Sequence, residues 1–322
     1  MADPNLGEVA ASVWEQKIGT KPDDNIFESH ALFHFLGKKG FKEEADGGRL
    51  IEHSLEFVIN STFKSYSELE VLDTSRITVF DAARYDWKIN AGTVVYSELE
   101  RLRAQAASGK FDLIAEKLEN GRMSHTDAIN NQAWSDGTGN SSKDLGGLQL
   151  LIATAPTTGT VGQINRATFS FWRNQQTSGA KTTTAFDNLR ASMRTVYNLC
   201  SRGGIEETPM AWITTRTVFE GFEGLLIANE RFSSKESGEG AFKNDVLMFK
   251  GAKGSYDEDA PSGNLYFFNN KALKFVYLRG GWFKMYPKVD PSNQLSNVHK
   301  VATFGNLSTG NARRLGVVSA IT

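Results

Sequence analysis

Cysteine is nearly absent: Cys200 is the single one in 322 residues, which excludes an internal disulfide framework and any cysteine-based metal cluster and fits a reducing compartment. Long apolar runs are missing too. No stretch approaches the ~20 residues that a membrane-spanning helix needs, and the opening Met1–Leu6 is polar, unlike a secretory leader. Charge of one sign is also lacking. Lys and Arg number 36 against 37 Asp and Glu, a formal net charge of -1, so there is no overall basic excess of the kind that grips a nucleic-acid backbone. Phosphate-cradling GxxxxGK(S/T), GxSxG, HExxH and EF-hand patterns are all absent. The chain is therefore read as a non-enzyme, with no catalytic residue, metal ligand or cofactor assigned.

What is present is an ordinary globular composition, 40% hydrophobic and 23% charged, and one unusual stretch. From Ile51 to Phe63 the odd positions (Ile51, His53, Leu55, Phe57, Ile59, Ser61, Phe63) are largely apolar and the even ones largely polar. Tyr85, Trp87, Ile89, Ala91, Thr93 and Val95 repeat the alternation. This period of two predicts a ribbon of two long strands over 51–96, each limb roughly 40 Å at about 3.3 Å per residue, joined by a polar tip at 64–84. Such a ribbon cannot cover its own apolar face. It needs a partner surface, here expected to be another copy of the same chain.

Upstream, residues 1–50 read as an arm with two short helices, Glu8–Ile18 and Phe27–Leu36. Downstream, 97–107 favours helix, and Ser108 can cap a longer helix from about 109 to 134 that stops at Asp136-Gly137-Thr138-Gly139. Phe111, Ile114, Leu118, His125 and Ile129 form its stripe. A second helix over 186–202, with Leu189, Met193, Val196 and Cys200 at core spacing, ends at Gly203-Gly204. A buried strand at 210–215, a helix at 218–229 and a strand-rich last third follow, an order that indicates an α+β fold.

Several residues were weighed for chemistry. His30 and His34 stand one helical turn apart but among Leu32, Phe33 and Phe35, which favours an amphipathic helix over a metal pair. Asp257-Glu258-Asp259 reads as a solvated loop tip rather than a cation site. Cys200 reads as a core thiol. Trp282, Lys284 and Tyr286 read as one strand facing a helix. The segment Asn165-Arg166-Ala167-Thr168-Phe169-Ser170-Phe171-Trp172-Arg173-Asn174 is the densest aromatic and basic cluster, suited to a subunit or domain contact or to a ligand site.

The order of a ribbon, a long helix closing on Trp134-Ser135-Asp136-Gly137, then Gly147-Leu148, then Gly159-Thr160-Val161-Gly162-Gln163-Ile164-Asn165-Arg166-Ala167-Thr168 with Trp172-Arg173-Asn174, resembles major capsid proteins of tailed bacteriophages with the Hong Kong 97-type fold. Gly305-Asn306-Leu307 and Asn311-Ala312-Arg313-Arg314-Leu315-Gly316-Val317 look like the end of that group. The resemblance implies an N-terminal arm (1–50), an extended E-loop hairpin (51–96), a peripheral domain (97–175 and 271–322) with its spine helix at about 109–134, and an axial domain (176–270). It implies a structural subunit that assembles through pentamers and hexamers into an icosahedral head around double-stranded DNA, held by non-specific contact. It implies synthesis in the host cytoplasm and residence in the virion, without a membrane. Implied partners are copies of itself, a separate scaffolding protein, since 50 arm residues are too few for a built-in one, and a portal, with cement proteins left open. Candidate subunit-contact residues are Phe57, Ile59, Trp87, Ile89, Arg166, Trp172, Arg173, Arg313 and Arg314. Lys64 and Lys88 lie in the ribbon, but no subunit crosslink is assigned to them. The alternatives are an encapsulin-like nanocompartment shell and, from a different class, a carbohydrate-binding or carbohydrate-degrading virion protein.

Overall fold

The structure, a computed structural model, describes residues 30–37, 40–106, 113–178, 186–201, 208–227 and 247–321. The helix expected at Glu8–Ile18, the Ser108 cap and the Gly203-Gly204 stop lie outside the described residues. The helices are α1 (Ala31–Gly37), α2 (Glu98–Ala106), α3 (Leu113–Trp134), α4 (Leu148–Leu151), α5 (Phe186–Ser201) and α6 (Arg216–Ile227). The strands begin with β1 (Lys42–Ala45), β2 (Ile51–Glu56), β3 (Phe80–Tyr85), β4 (Lys88–Ser97), β5 (Thr160–Val161), β6 (Ile164–Asn165) and β7 (Gln175–Thr177). They continue with β8 (Ala211–Thr214), β9 (Met248–Phe249), β10 (Ala252–Tyr256), β11 (Leu265–Phe268), β12 (Leu273–Leu278), β13 (Lys284–Met285), β14 (Ser296–Thr309) and β15 (Gly316–Val318). Helices and strands are segregated along the chain as in an α+β fold.

By its contacts the chain divides into two compact units. One contains Ala91–His125 and Met285–Val301. In it the Tyr96 ring stacks on His299 with centroids 5.7 Å apart, and Val289 bridges Val298. The Glu98 carboxylate accepts hydrogen bonds from Arg101 and Asn297, which hold its pKa down at about 2.

The second unit contains Ser29–Asn90, Thr126–Lys284 and Ala302–Thr322. Its centre is a six-stranded sheet in the order β7-β15-β11-β8-β10-β9. The middle strands β8 (AWIT) and β11 (LYFF) are apolar or nearly so, and every residue in them is buried, as a strand covered on both faces requires. Alternation then divides them between two cores. Trp212, Leu265, Phe267 and Val318 pack with the α5 stripe Leu189, Met193, Val196 and Cys200 and with Val218, Phe219 and Phe222 of α6. Ala211, Ile213, Tyr266, Phe268 and Val317 face the other way, into the core that holds Ile129, Trp134, Leu148 and Leu151. Each fully buried large side chain on these strands contributes about 1.5–3 kcal/mol. Cys200 is 1% exposed, and burial pushes its thiol up to about 12, so it is the inert core thiol expected.

The sheet draws β8 to β11 and both packing helices from the segment 176–270, but takes β7 and β15 at its border and beyond it. Elsewhere in this unit β12 runs parallel to β1, with Phe275 opposite Lys42, and antiparallel to the end of β14, with Phe275 opposite Leu307. Trp282 stacks on Phe33 of α1, but it lies in a bend ahead of β13, so Trp282, Lys284 and Tyr286 do not share one strand as expected, while Lys42 lies over the Trp282 ring at 3.5 Å.

The ribbon departs from its expected pairing. β2 pairs with β3, Ile51 opposite Tyr85 through Glu56 opposite Phe80, so the return limb is 80–85 and not 85–96. Each paired limb has six residues, about 20 Å long. The 80–85 stretch, Phe-Asp-Ala-Ala-Arg-Tyr, shows no clean alternation, yet its inward residues Ala83 and Tyr85 are buried with Ile51 and Leu55 in the core. Burial, not periodicity, selects the return limb.

The long helix ends as expected, with Gly137 at φ +78° turning the chain back. Gly147 then passes so close to the helix end that a Cβ would lie 2.3 Å from the Ser135 carbonyl oxygen and 2.5 Å from that of Gln132. Only glycine fits there.

Candidate assembly interface

The loop from Gly159 to Asn174 is built as an anchor. Gly162 and Gln163, at φ +58° and +65°, form the tight turn between β5 and β6, the left-handed pair that two-residue hairpins require. The Gly162 carbonyl accepts a hydrogen bond from the Arg84 amide at 3.0 Å, joining the turn to the return limb of the ribbon. The Trp172 indole donates to the Val161 carbonyl at 2.9 Å, and Trp172 is 2% exposed. Arg173 donates to the carbonyls of Arg166 and Ala167.

Arg166 is 1% exposed and donates to the carbonyls of Leu150 and Leu151 at the end of α4. No carboxylate pairs with it among the described residues, and burial lowers its pKa, opposed by the nearby Tyr85. The guanidinium supplies donors to carbonyls that a helix end leaves unpaired, while its own Nε is buried without a partner. The Tyr85 hydroxyl donates to the Thr309 carbonyl at 3.0 Å, and burial raises its pKa. His53 on β2 contacts Ser308 Oγ at 2.8 Å.

Against this frame the expected contact residues separate. Arg166 and Trp172 are enclosed by their own chain, at 1% and 2% exposure, which leaves them little surface to offer a neighbour. Arg173 is partly buried and spends its guanidinium on the loop. Phe57 is partly buried and stacks on Phe171 of the same chain, with ring centroids 5.2 Å apart. The Trp87 indole donates to the Gly48 carbonyl. Ile59 is 90% exposed and Ile89 63%. Arg313 is exposed and Arg314 is half-buried.

Beyond Glu56 the alternation no longer corresponds to burial. Residues 57–79 carry no helix or strand, and Ile59, Phe63, Leu69, Val71 and Leu72 all stand in solvent. Local bonds shape this tip. The Tyr66 hydroxyl donates to the Thr62 carbonyl and accepts from the Asp73 amide, and Lys64 pairs with Glu70 at 3.2 Å. Lys88 donates to the Ser142 carbonyl.

The acidic loop after β10 is not a solvated tip throughout. Asp257 is 1% exposed, and its Oδ2 accepts the Leu32 amide at 3.0 Å. His34 is exposed and stands apart from any ligand group among the described residues, while His30 meets Asp127 and Asp259. Sequence spacing gave no hint of that meeting, because its members lie more than ninety residues apart.

No family model and no curated sequence matches this chain. Solved structures do. The cyanophage A-1(L) capsid asymmetric unit superposes with a TM-score of 0.71, covering 99% of this chain and 100% of that one at 14% identity. The fold is the Hong Kong 97-type capsid fold. The same fold relates the chain to the capsid of a native GTA particle, with a TM-score of 0.60, coverage of 99% and 100%, and 13% identity. It also relates the chain to the SrpI encapsulin from Synechococcus elongatus, with a TM-score of 0.61, coverage of 100% and 96%, and 11% identity. In this Hong Kong 97-type chain no described helix is long and apolar enough to cross a membrane.

Proposed function

We propose that this chain is the major capsid protein of a tailed phage, a structural subunit and not an enzyme, assembling through pentamers and hexamers into a shell around double-stranded DNA. The observation that carries the reading is the ribbon. Its root is fixed to the body by Arg84, Tyr85 and Phe57, while Ile59, Phe63, Leu69 and Val71 beyond the root stand at 84–97% exposure. Apolar surface of that kind marks an interaction site, and the occupant proposed is the adjoining copy. A stable contact buries about 800 Å² on each partner, and several modest contacts per subunit hold it at high effective concentration. In this reading 1–50 is the arm, 51–96 the E-loop, 97–175 with 271–322 the peripheral domain and 176–270 the axial domain. A separate scaffolding protein and a portal complete the assembly, and the virion is its place of residence.

A nanocompartment shell is the second reading, favoured by the likeness to the SrpI encapsulin. The carbohydrate reading leaned on the 165–174 aromatics. Trp172 is buried and Phe171 is engaged with Phe57 and Phe169, which leaves Phe169, 41% exposed, as the one open ring of that loop.

Electron microscopy and sedimentation of the purified chain test the proposal. Shells, rings or sheets are expected, and I59D/F63D converts them to a folded, non-assembling subunit with unchanged circular dichroism. A wild-type chain that stays a monodisperse monomer at every concentration overturns it. Nuclease-protected DNA inside particles recovered from cells separates a phage head from a protein-filled compartment.

A further inference from the structure

Resting on the shell reading, with its adjoining copy as the partner, we infer that Tyr66 is a positioning residue that holds the ribbon tip as a preformed docking loop before any neighbour arrives. Residues 57–79 contain no helix or strand, and a segment of that kind ordinarily loses conformational freedom when it binds. Here the segment is already tied together.

The Tyr66 hydroxyl donates to the Thr62 carbonyl at 2.8 Å and accepts the Asp73 amide at 3.2 Å. One phenol oxygen thereby brings the two ends of 62–73 to a common point, which makes this stretch a compact surface loop closed by its own side chain. Each end is fixed locally as well. Asn60 Oδ1 accepts the amide and the hydroxyl of Thr62, and Asp73 Oδ1 accepts the Ser75 amide at 2.9 Å, two side-chain turns that set the backbone on either side of the closure. Within the loop the Glu70 amide donates to the Ser67 carbonyl and the Ser67 amide to the Glu70 carboxylate. Lys64 pairs with that carboxylate at 3.2 Å and lies over the Tyr66 ring at 4.9 Å. At the root, the Phe57 amide donates to the Val79 carbonyl at 3.1 Å.

The choice of side chains decides what such a loop is for. The tyrosine, the asparagine, the acids and the lysine are used up by the loop's own framework, and Tyr66 is half-buried in it. The apolar side chains are left outside: Ile59, Phe63, Leu69 and Val71 at 84–97% exposure and Leu72 at 63%. This inverts the usual order, in which a surface loop turns apolar groups inward and polar ones to water. A slack segment with five such side chains lowers its free energy by clustering them. The polar framework prevents that and keeps them splayed for a partner.

The hydroxyl matters more than the ion pair. Lys64 and Glu70 are both exposed, and a pair of that kind contributes little in water, whereas Tyr66 reaches from the outgoing limb at Thr62 to the returning limb at Asp73. With the loop closed in advance, the neighbour meets a surface of fixed shape and docks with little rearrangement. Without the hydroxyl the ring, the apolar surface and the body of the subunit are unchanged, but the tip visits shapes that the neighbour does not bind, and its apparent affinity falls by the fraction of time spent in them.

Y66F in the full chain, beside wild type and K64M, tests this. Amide exchange over 67–75, measured at dilutions where the chain is unassembled, is expected to quicken in Y66F while circular dichroism and Tm stay at the wild-type values. In sedimentation, the concentration at which half the chain is assembled is expected to rise about threefold to tenfold in Y66F, the size of one modest hydrogen bond, and less than about twofold in K64M. A Y66F chain that assembles at the wild-type concentration overturns the inference, and so does one whose exchange over 67–75 is unchanged. A lowered Tm overturns it too, by assigning Tyr66 to the fold of the subunit. A wild type that never assembles brings down the shell reading itself, whereas an assembling wild type matched by Y66F removes only the role of Tyr66.

Discussion

The rings of Phe57 and Phe171 stack with their planes 22° from parallel, one at the last turn-out of the ribbon and the other in the anchor loop 114 residues later. An aromatic pair of this kind contributes about 0.5–1.5 kcal/mol beyond its area burial, and here it joins two segments that share no strand. A double-mutant cycle with F57A and F171A, followed by urea unfolding, is expected to return a coupling in that range. Additive losses would show that the two rings act separately. Phe57 is thus a hinge-side residue, and the exposed Ile59 and Phe63 are the better choices for probing assembly.

Arg166 gives a sharper stability test. R166M keeps much of the apolar stem but strips the donors from the Leu150 and Leu151 carbonyls, and leaving buried acceptors unpaired costs about 1–3 kcal/mol each. A loss of roughly 2–4 kcal/mol in unfolding free energy is expected from denaturant titration. R313M, at an exposed position, stays within about 0.5 kcal/mol. Equal effects from the two would contradict the capping role.

Gly147 allows no side chain. G147A drives a methyl group into the carbonyl oxygens of Ser135, Gln132 and Ala133, which are fixed backbone atoms, and overpacking of this kind costs about 1–3 kcal/mol. G92A, where a Cβ meets nothing within 4 Å, is the matched control. Thermal unfolding of both variants decides whether the close approach is real.

Acid sensitivity follows from His53. Burial lowers its pKa below 6.5, with Glu43 raising it and Lys274 lowering it to a lesser extent, and burial lowers that of His125 as well. The unfolded chain therefore takes up these protons at higher pH than the folded one. Their contribution to stability is complete above pH 6.5 and is lost as pH falls below it, through the folded pKa. Tm is expected to drop between pH 7 and 5, and H53Q, which keeps a partner for Ser308 Oγ, is expected to flatten the slope. An unchanged slope in H53Q would assign the loss elsewhere.

Much of the scaffold was legible because its signals are local. The helix at Leu113–Trp134, its stop at Gly137 and the α5 stripe through Cys200 follow from spacing and from one residue's tolerance for positive φ. The ribbon partner was not, since the clearer alternation lies beyond 85 while 80–85 shows little of it, and the choice rests on Ala83 and Tyr85 finding a core that only the folded chain supplies. Arg166 misled for a related reason. A guanidinium reads as surface, and nothing nearby in sequence announces the helix-end carbonyls that draw it inside. Asp257 misled likewise: among three consecutive acids, the buried one is picked out by a backbone amide 225 residues away.

The root of the ribbon separates aim from chemistry. Because Arg84, Tyr85 and Phe57 fix the direction in which 58–79 leaves the body, the outer residues are free to be rewritten by mutation without relearning where to point. A lineage can thus exchange the adhesive on its subunits while keeping the same architectural blueprint, which is one physical route to likeness in shape at 9–14% identity.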